Sequence, residues 1–361
     1  SSNEVHIMND SFNTYIQNDS FYQPTPEPTP MEKRSIRKLY NSVGGAMICQ
    51  YILVFVLFYI AYFILTGMGL IETTYNDEGY PIVGFWECTI MFCAPAVSSI
   101  IMYFIYSGMH HIKLSSLLNT EKVTGSFVLK AVLATFFFHQ VGMILEYGVA
   151  IVLSVLGLDT PSLNYELDNT IQTTLMDLFS SVILAPIAEE LFFRGVVLKS
   201  LSKVSQRFAI IMSAVFFGLM HGNPYQAVMA TLVGLALGYI TVRSNSLVPS
   251  IICHMAMNTM ASISDIAGYF NEWLAEGVYY VTAFVEFSVG VIGFVYILKH
   301  HGIHLPPYTE YHKKRTLPIM ITSAGMIIIT AIYLWDIITS VEPIAEEEQI
   351  IETAVRAIFR I

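Results

Sequence analysis

Residues 44–69 read GGAMICQYILVFVLFYIAYFILTGMG, a run without one charged side chain. Coiled as a helix at about 1.5 Å per residue, it exceeds the ~30 Å hydrocarbon layer of a bilayer. Comparable apolar runs follow at 85–107, 127–157, 174–198, 207–222, 225–243, 247–269, 275–298 and 317–340. The fifth is short, and the third is long enough to tilt or protrude. Composition agrees: of 361 residues, 54% are hydrophobic and only 13% charged, with a mean hydropathy of +0.58. A soluble domain carries about 25% charged residues to cover its surface, so a soluble enzyme is excluded. Aromatic side chains make up 13%, too many for a disordered chain. The expectation is an all-α, polytopic membrane protein with about eight or nine transmembrane helices around a buried polar cavity.

The net charge is −10, and no basic face of any size presents itself to nucleic acid. The cations are nevertheless ordered along the chain. With the amino terminus inside, Lys33, Arg34, Arg37, Lys38, Lys113, Lys122, Lys130, Lys199, Lys203, Arg207, Arg243, Lys299, Lys313, Lys314 and Arg315 all fall at inner connections. The outer connections carry Glu72, Asp77, Glu78, Asp159, Glu166 and Asp168 instead. Excess Lys and Arg mark cytoplasmic loops, which predicts a multi-pass protein of the cell membrane with a cytoplasmic amino terminus.

Residues 1–43 read as a polar tail without a cleavable signal, disordered or polyproline-like, with Pro24, Pro26, Pro28 and Pro30 at alternate positions. Residues 44–165 supply accessory membrane helices, 166–272 a core, and 273–341 the last membrane helices. In 342–361, Ile350, Ile351, Ala354, Val355, Ile358 and Phe359 share one helical face, as an interfacial helix or a docking element would. Cys49, Cys88, Cys93 and Cys253 lie in apolar runs without a CxxC pair and read as small buried hydrophobes.

An ionisable group at bilayer depth costs at least ~2.5–3.5 kcal/mol and calls for a partner or a purpose. The stretch 185–195, APIAEELFFRG, holds three. On an α-helix Glu190 and Arg194 share a face and neutralise each other. Glu189 points about 100° away, and an acid without a local cation is the one suited to take a proton near neutrality. A buried ion-pair latch would explain Glu190 and Arg194 but not Glu189. Further on, Gly222 and Pro224 break the fifth run just after His221. His221 lies about 21 Å along the helix from Arg207, and irregular backbone at such depth must be enclosed by protein or line a wet cavity. In the seventh run His254 and Asn258 lie one turn apart on one face. Counted from Lys199 and Arg243, Glu189 and His254 reach similar depths, so these six side chains can meet in one hydrated pocket.

At these residues the sequence resembles the CAAX proteases and bacteriocin-processing enzymes (CPBP, or Abi, proteins). This family of intramembrane endopeptidases is related to the enzyme that trims prenylated CAAX proteins. Its pattern EExxxR, FxxxH, HxxxN is met by Glu189-Glu190-xxx-Arg194, Phe217-xxx-His221 and His254-xxx-Asn258, in the same order. The resemblance covers about residues 170–270. It implies that Glu189 and His221 activate a water, that Arg194 holds Glu190, and that His254 and Asn258 stabilise the oxyanion. It also implies a peptide or lipid-modified protein as substrate, with leader or signalling peptides expected for a bacterial member. A cofactor-free glutamate mechanism is the expectation. Zinc held by Glu189, His221 and His254 is the alternative, because two histidines and a carboxylate suffice as ligands, but a cation at Arg194 opposes it.

Outside the pattern, His139, Gln140 and Glu146 read as polar contacts between helices or as cavity lining. Glu87 sits near a helix end, and Glu286 lies mid-span with no evident partner. His300, His301, His304 and His312 form a metal-like tract, or a solvated loop meeting lipid headgroups beside Lys313, Lys314 and Arg315. Membrane lipids are the expected surroundings. Two rivals to the peptidase remain: a non-catalytic scaffold regulating a partner protein, and an ion-coupled transporter, for which no inverted repeat is apparent.

Overall fold

The computed structural model describes residues 31–344, except 73, 77–80, 122, 161–165 and 169. The proline-bearing tail, the loop residues Asp77, Glu78 and Lys122, and the amphipathic face from Ile350 to Phe359 lie outside the described residues. The chain is a helical membrane protein. Its long helices are α1 (Lys33–Gly67), α2 (Phe85–His110), α3 (Gly125–Val155), α4 (a continuous run over 171–201), α5 (Gln206–Leu219), α6 (Pro224–Ser244), α7 (Val248–Phe270), α8 (Glu272–His300) and α9 (Ala324–Thr339).

Helix α1 starts well before residue 44, where the sequence placed the end of a disordered tail. The cause is visible in the spacing of Ile36, Leu39, Tyr40, Val43 and Met47, which form one buried face. Among the described residues five helices are long and apolar enough to cross a membrane: α1, α2, α3, α6 and α8. A sixth is gained if Glu310–Met320 and α9, bent by 65° to each other, count as one span. By length and composition alone, five or six of the helices thus qualify as spans, in keeping with the expected all-α, polytopic architecture. Helix α5, at 14 residues, is too short to cross, while α4 and α7 carry the polar side chains of the site.

The cations of the described loops gather at one end, where Lys130 Nζ donates to His301 Nε2 at 2.9 Å and Arg37 Nη2 to Thr322 Oγ1 at 3.2 Å. The opposite end bears two small sheets. In one, β2 (Pro81–Val83) lies between antiparallel β1 (Thr74–Tyr75) and parallel β4 (Glu166–Leu167). In the other, β3 (Leu158–Asp159) pairs with β5 (Glu342–Pro343). Between these ends the core joins α1, α2, α4 and α5 through fully enclosed aromatic rings including Tyr40, Tyr103, Phe192, Phe193, Phe216 and Phe217.

Association of helices in lipid relies on close backbone approach at small residues. A Cβ at Gly44 of α1 would collide with the Gly325 backbone of α9, whereas one at Gly45 would meet nothing within 4 Å. Gly44→Ala is therefore expected to destabilise the protein by about 1–3 kcal/mol. Gly45→Ala should be neutral or stabilising by up to about 1 kcal/mol. Thermal unfolding of the two variants in detergent checks the contrast.

Candidate active site

The site grows out of a defect in α4. Pro186 has no N–H to donate and its ring crowds the preceding turn. The backbone responds by widening to a π-helix over Ser180–Leu184, where the Ala185 N–H donates to the Ser180 carbonyl. The Ser181 carbonyl thereby loses both potential partners within the helix, Ala185 being committed elsewhere and Pro186 having no hydrogen. Asn258 of α7 supplies the missing donor, its Nδ2 lying 2.7 Å from the Ser181 oxygen.

One α-helical turn, Ala185–Glu189, separates this opening from a second π stretch, Glu190–Leu198. The α-helical angles assumed from sequence therefore hold for Glu189 but not beyond it. Such bulges concentrate at functional sites. Here they set two adjacent acids in different surroundings.

Glu190 is fully buried, and its Oε1 stands 3.0 Å from Arg194 Nη1. It also accepts from His254 Nδ1 at 3.3 Å. Arg194, equally buried, donates from Nη2 to the Gly234 carbonyl at 3.4 Å and lies over the Phe217 ring, 4.4 Å from its centroid. The Glu189 side chain, in contrast, is 21% exposed and places Oε2 3.8 Å from His254 Nε2. That is an ion-pair separation, too long for a hydrogen bond.

His221 is positioned by the end of α5. Gly222 takes the left-handed conformation (φ +71°) that favours glycine. Asn223 then caps α6 by accepting from the Gln226 N–H at 2.8 Å. His221 Nδ1 donates to the Phe217 carbonyl at 2.8 Å. Because a carbonyl only accepts, this bond leaves Nε2 of the neutral ring as a proton acceptor. Glu189 and His254 both lie within electrostatic reach of His221.

Four of the six residues singled out in the sequence, Glu189, Glu190, Arg194 and His254, are in direct contact, and His221 closes the group. Asn258 instead turns its amide to the Ser181 carbonyl. Sequence reasoning gave no role to Phe217, whose ring meets His221, His254 and Phe193 edge-on at centroid distances of 5.2, 5.7 and 5.4 Å. Its place four residues before His221 was the available signal. The Gly234 and Ser181 carbonyls left none, because backbone groups do not appear in a residue pattern.

Glu286, without evident partner in the sequence, accepts from His139 Nδ1 at 2.8 Å and from Gln140 Nε2 at 2.7 Å, joining α8 to α3. Glu146 is half-buried nearby, within electrostatic reach of His139. Glu87 lies in the first turn of α2, where its Oε2 accepts from the Gly84 N–H. The histidines near residue 300 diverge: His301 meets Lys130, and His312 bonds to Thr309. Among the described residues no three His, Cys, Asp or Glu side chains are grouped to hold a metal ion.

Residues 171–260 match the family of the type II CAAX prenyl endopeptidases, Rce1-like. A protein of Bacillus subtilis (strain 168) described as a candidate membrane peptidase, YdiL, is 28% identical over 99 residues. That stretch is 27% of this chain and 41% of the relative, so the match spans about two fifths of the relative's length. No solved structure matches. All six residues fall within the matched stretch, and over this segment the chain is similar to the Rce1-like CAAX endopeptidase family.

Removing one partner of a buried ion pair strands the other charge. Arg194→Met is expected to cost about 3–5 kcal/mol. Adding Glu190→Gln in the same chain should recover much of that loss, which thermal unfolding of the single and double variants measures.

Proposed function

We propose that this protein is an intramembrane endopeptidase that hydrolyses a peptide bond in a membrane-associated or lipid-modified protein or peptide. The observation that carries the reading is the asymmetry of neighbouring carboxylates. Glu190 is sealed against Arg194 and His254, while the Glu189 side chain keeps 21% of its surface exposed beside both imidazoles. A base must reach both water and substrate, and only Glu189 does.

In this reading Glu189 and His221 Nε2 draw a proton from a water whose oxygen attacks the scissile carbonyl carbon. The carbonyl π bond opens to an oxyanion. Preorganised donors at such a position are worth about 3–4 kcal/mol each. When the His254 ring carries both protons, Nδ1–H stays on Glu190 and Nε2–H faces the hollow as such a donor. The C–N bond then breaks, and the proton held by the acid passes to the leaving amine. Arg194 fixes Glu190, and through it the ring of His254. Asn258 holds α7 against α4 and keeps His254 at this depth, and its second amide hydrogen is the one left for an oxyanion. The cation-rich end lies on the cytoplasmic side, by the rule that concentrates Lys and Arg there. The chemistry proceeds without a metal.

Glu189→Gln and His221→Ala are expected to keep the fold and to lower cleavage by at least about a hundredfold. Purified protein reconstituted with prenylated and leader-type peptides provides the assay. Activity surviving in both variants overturns the mechanism, and no cleavage by the wild type of any peptide favours a scaffold. A chelator should leave the wild-type rate unchanged, and inhibition reversed by added zinc would contradict the metal-free reading.

A further inference from the structure

A cavity, about 380 Å³ in volume, opens at the cation-rich end between α3, α5, α6 and α8. This volume lies in the range of small-molecule sites. None of the six residues of the candidate active site lines it. Its mouth carries Lys130, Arg207, Arg243 and His301, and no Asp or Glu is among its described lining residues. Behind the mouth the walls are apolar, with Phe138, Ile211, Leu235 and Phe294 among them. Ile211 is 45% exposed, so the apolar part is open sideways to the bilayer.

The cations are held in place at the mouth. Lys130 donates to His301 and lies 5.8 Å from the Tyr296 ring centroid, and Arg243 lies 6.0 Å from that of Tyr239. The Nε of Arg207 is buried without a hydrogen-bond partner. Fixed positive charge above an aliphatic shaft complements one kind of molecule, an anionic head on a hydrocarbon chain. Arginine forks match phosphate oxygens in particular. Three permanent cations suit a phosphodiester better than a desolvated neutral or zwitterionic head.

We infer that this cavity binds one anionic membrane phospholipid, its phosphate at Lys130, Arg207 and Arg243 and one acyl chain along the wall formed by Phe138, Ile211 and Phe294. The site is independent of the hydrolytic reading. Its occupant would tie together four helices, of which α5 and α6 also bear on the active site through His221 and the Gly234 carbonyl.

The test uses the full chain, purified in a neutral detergent, with native mass spectrometry and thermal unfolding as readouts. Phosphatidylglycerol should bind one to one, raise the melting temperature and be preferred over phosphatidylcholine by at least about tenfold. The double variant Arg207→Gln, Arg243→Gln should reduce that preference to about twofold or less. Lys130→Gln alone, a milder change should the double variant fail to fold, should weaken phosphatidylglycerol binding about fivefold. Ala134→Trp, which fills the shaft and spares the cations, should abolish it. Equal binding of the two lipids, or a preference indifferent to every charge change, overturns the inference. So does competition by glycerol phosphate as effective as the lipid, which would reveal a mere anion site. Displacement of the lipid by a prenylated peptide would assign the cavity to substrate and refute it equally.

Discussion

The arrangement of the active-site helices depends on one buried contact, that between Glu190 and Arg194. Two charges with no access to solvent cost far more to bury than their mutual attraction returns unless every remaining face is occupied. Here several faces are shared out among helices, while Glu190 Oε2 and Arg194 Nε stay buried without a hydrogen-bond partner. Helix α4 supplies both charges, α7 supplies His254 to Glu190, α6 supplies the Gly234 carbonyl to Arg194, and α5 slides the Phe217 ring beneath the guanidinium. The pair is thus a junction where four helices are obliged to meet. The more reactive features, Glu189 and the open nitrogen of His221, are carried on the same helices at positions the junction determines.

The glycines show how tightly that junction is drawn. At Gly234 a Cβ would come within 2.9 Å of the Ala214 Cα, and at Gly218 it would collide with Thr231. The α5–α6 hairpin therefore packs backbone against backbone, which puts the Gly234 carbonyl within reach of Arg194. Because α5 stops short of a full crossing, its end places His221 inside the protein. Shortness, an awkward feature in a membrane helix, is here what delivers an imidazole to the hollow.

Much of this was readable in the amino-acid sequence. Apolar runs located every long helix, because lipid demands uninterrupted hydrophobic length. Charges out of place in those runs led to Glu189, Glu190, Arg194 and His221, because their cost stands out against such a background. What escaped notice has a common origin. Periodicity assumes α-helical turns, so it missed the π stretches on either side of Glu189 and the role of Asn258 toward Ser181. Hydropathy counts residues and ignores surroundings, so it did not set the short α5 and the polar α4 and α7 apart from the five helices that are long and apolar enough by themselves. The start of α1 was misplaced because its first turns are basic on one side and apolar on the other, and the cations were the more conspicuous. Glu286 seemed isolated because its partners lie on α3, far away in the chain.

The Ser181 carbonyl bears on how the molecule is assembled. Ordinary membrane helices satisfy their own backbones and can rest in lipid alone. Helix α4 cannot, since one of its oxygens waits for an amide that is synthesised 77 positions later. Until α7 arrives, that stretch must borrow a water or a neighbour. The proline that widens α4 therefore ties completion of the candidate site to the arrival of α7.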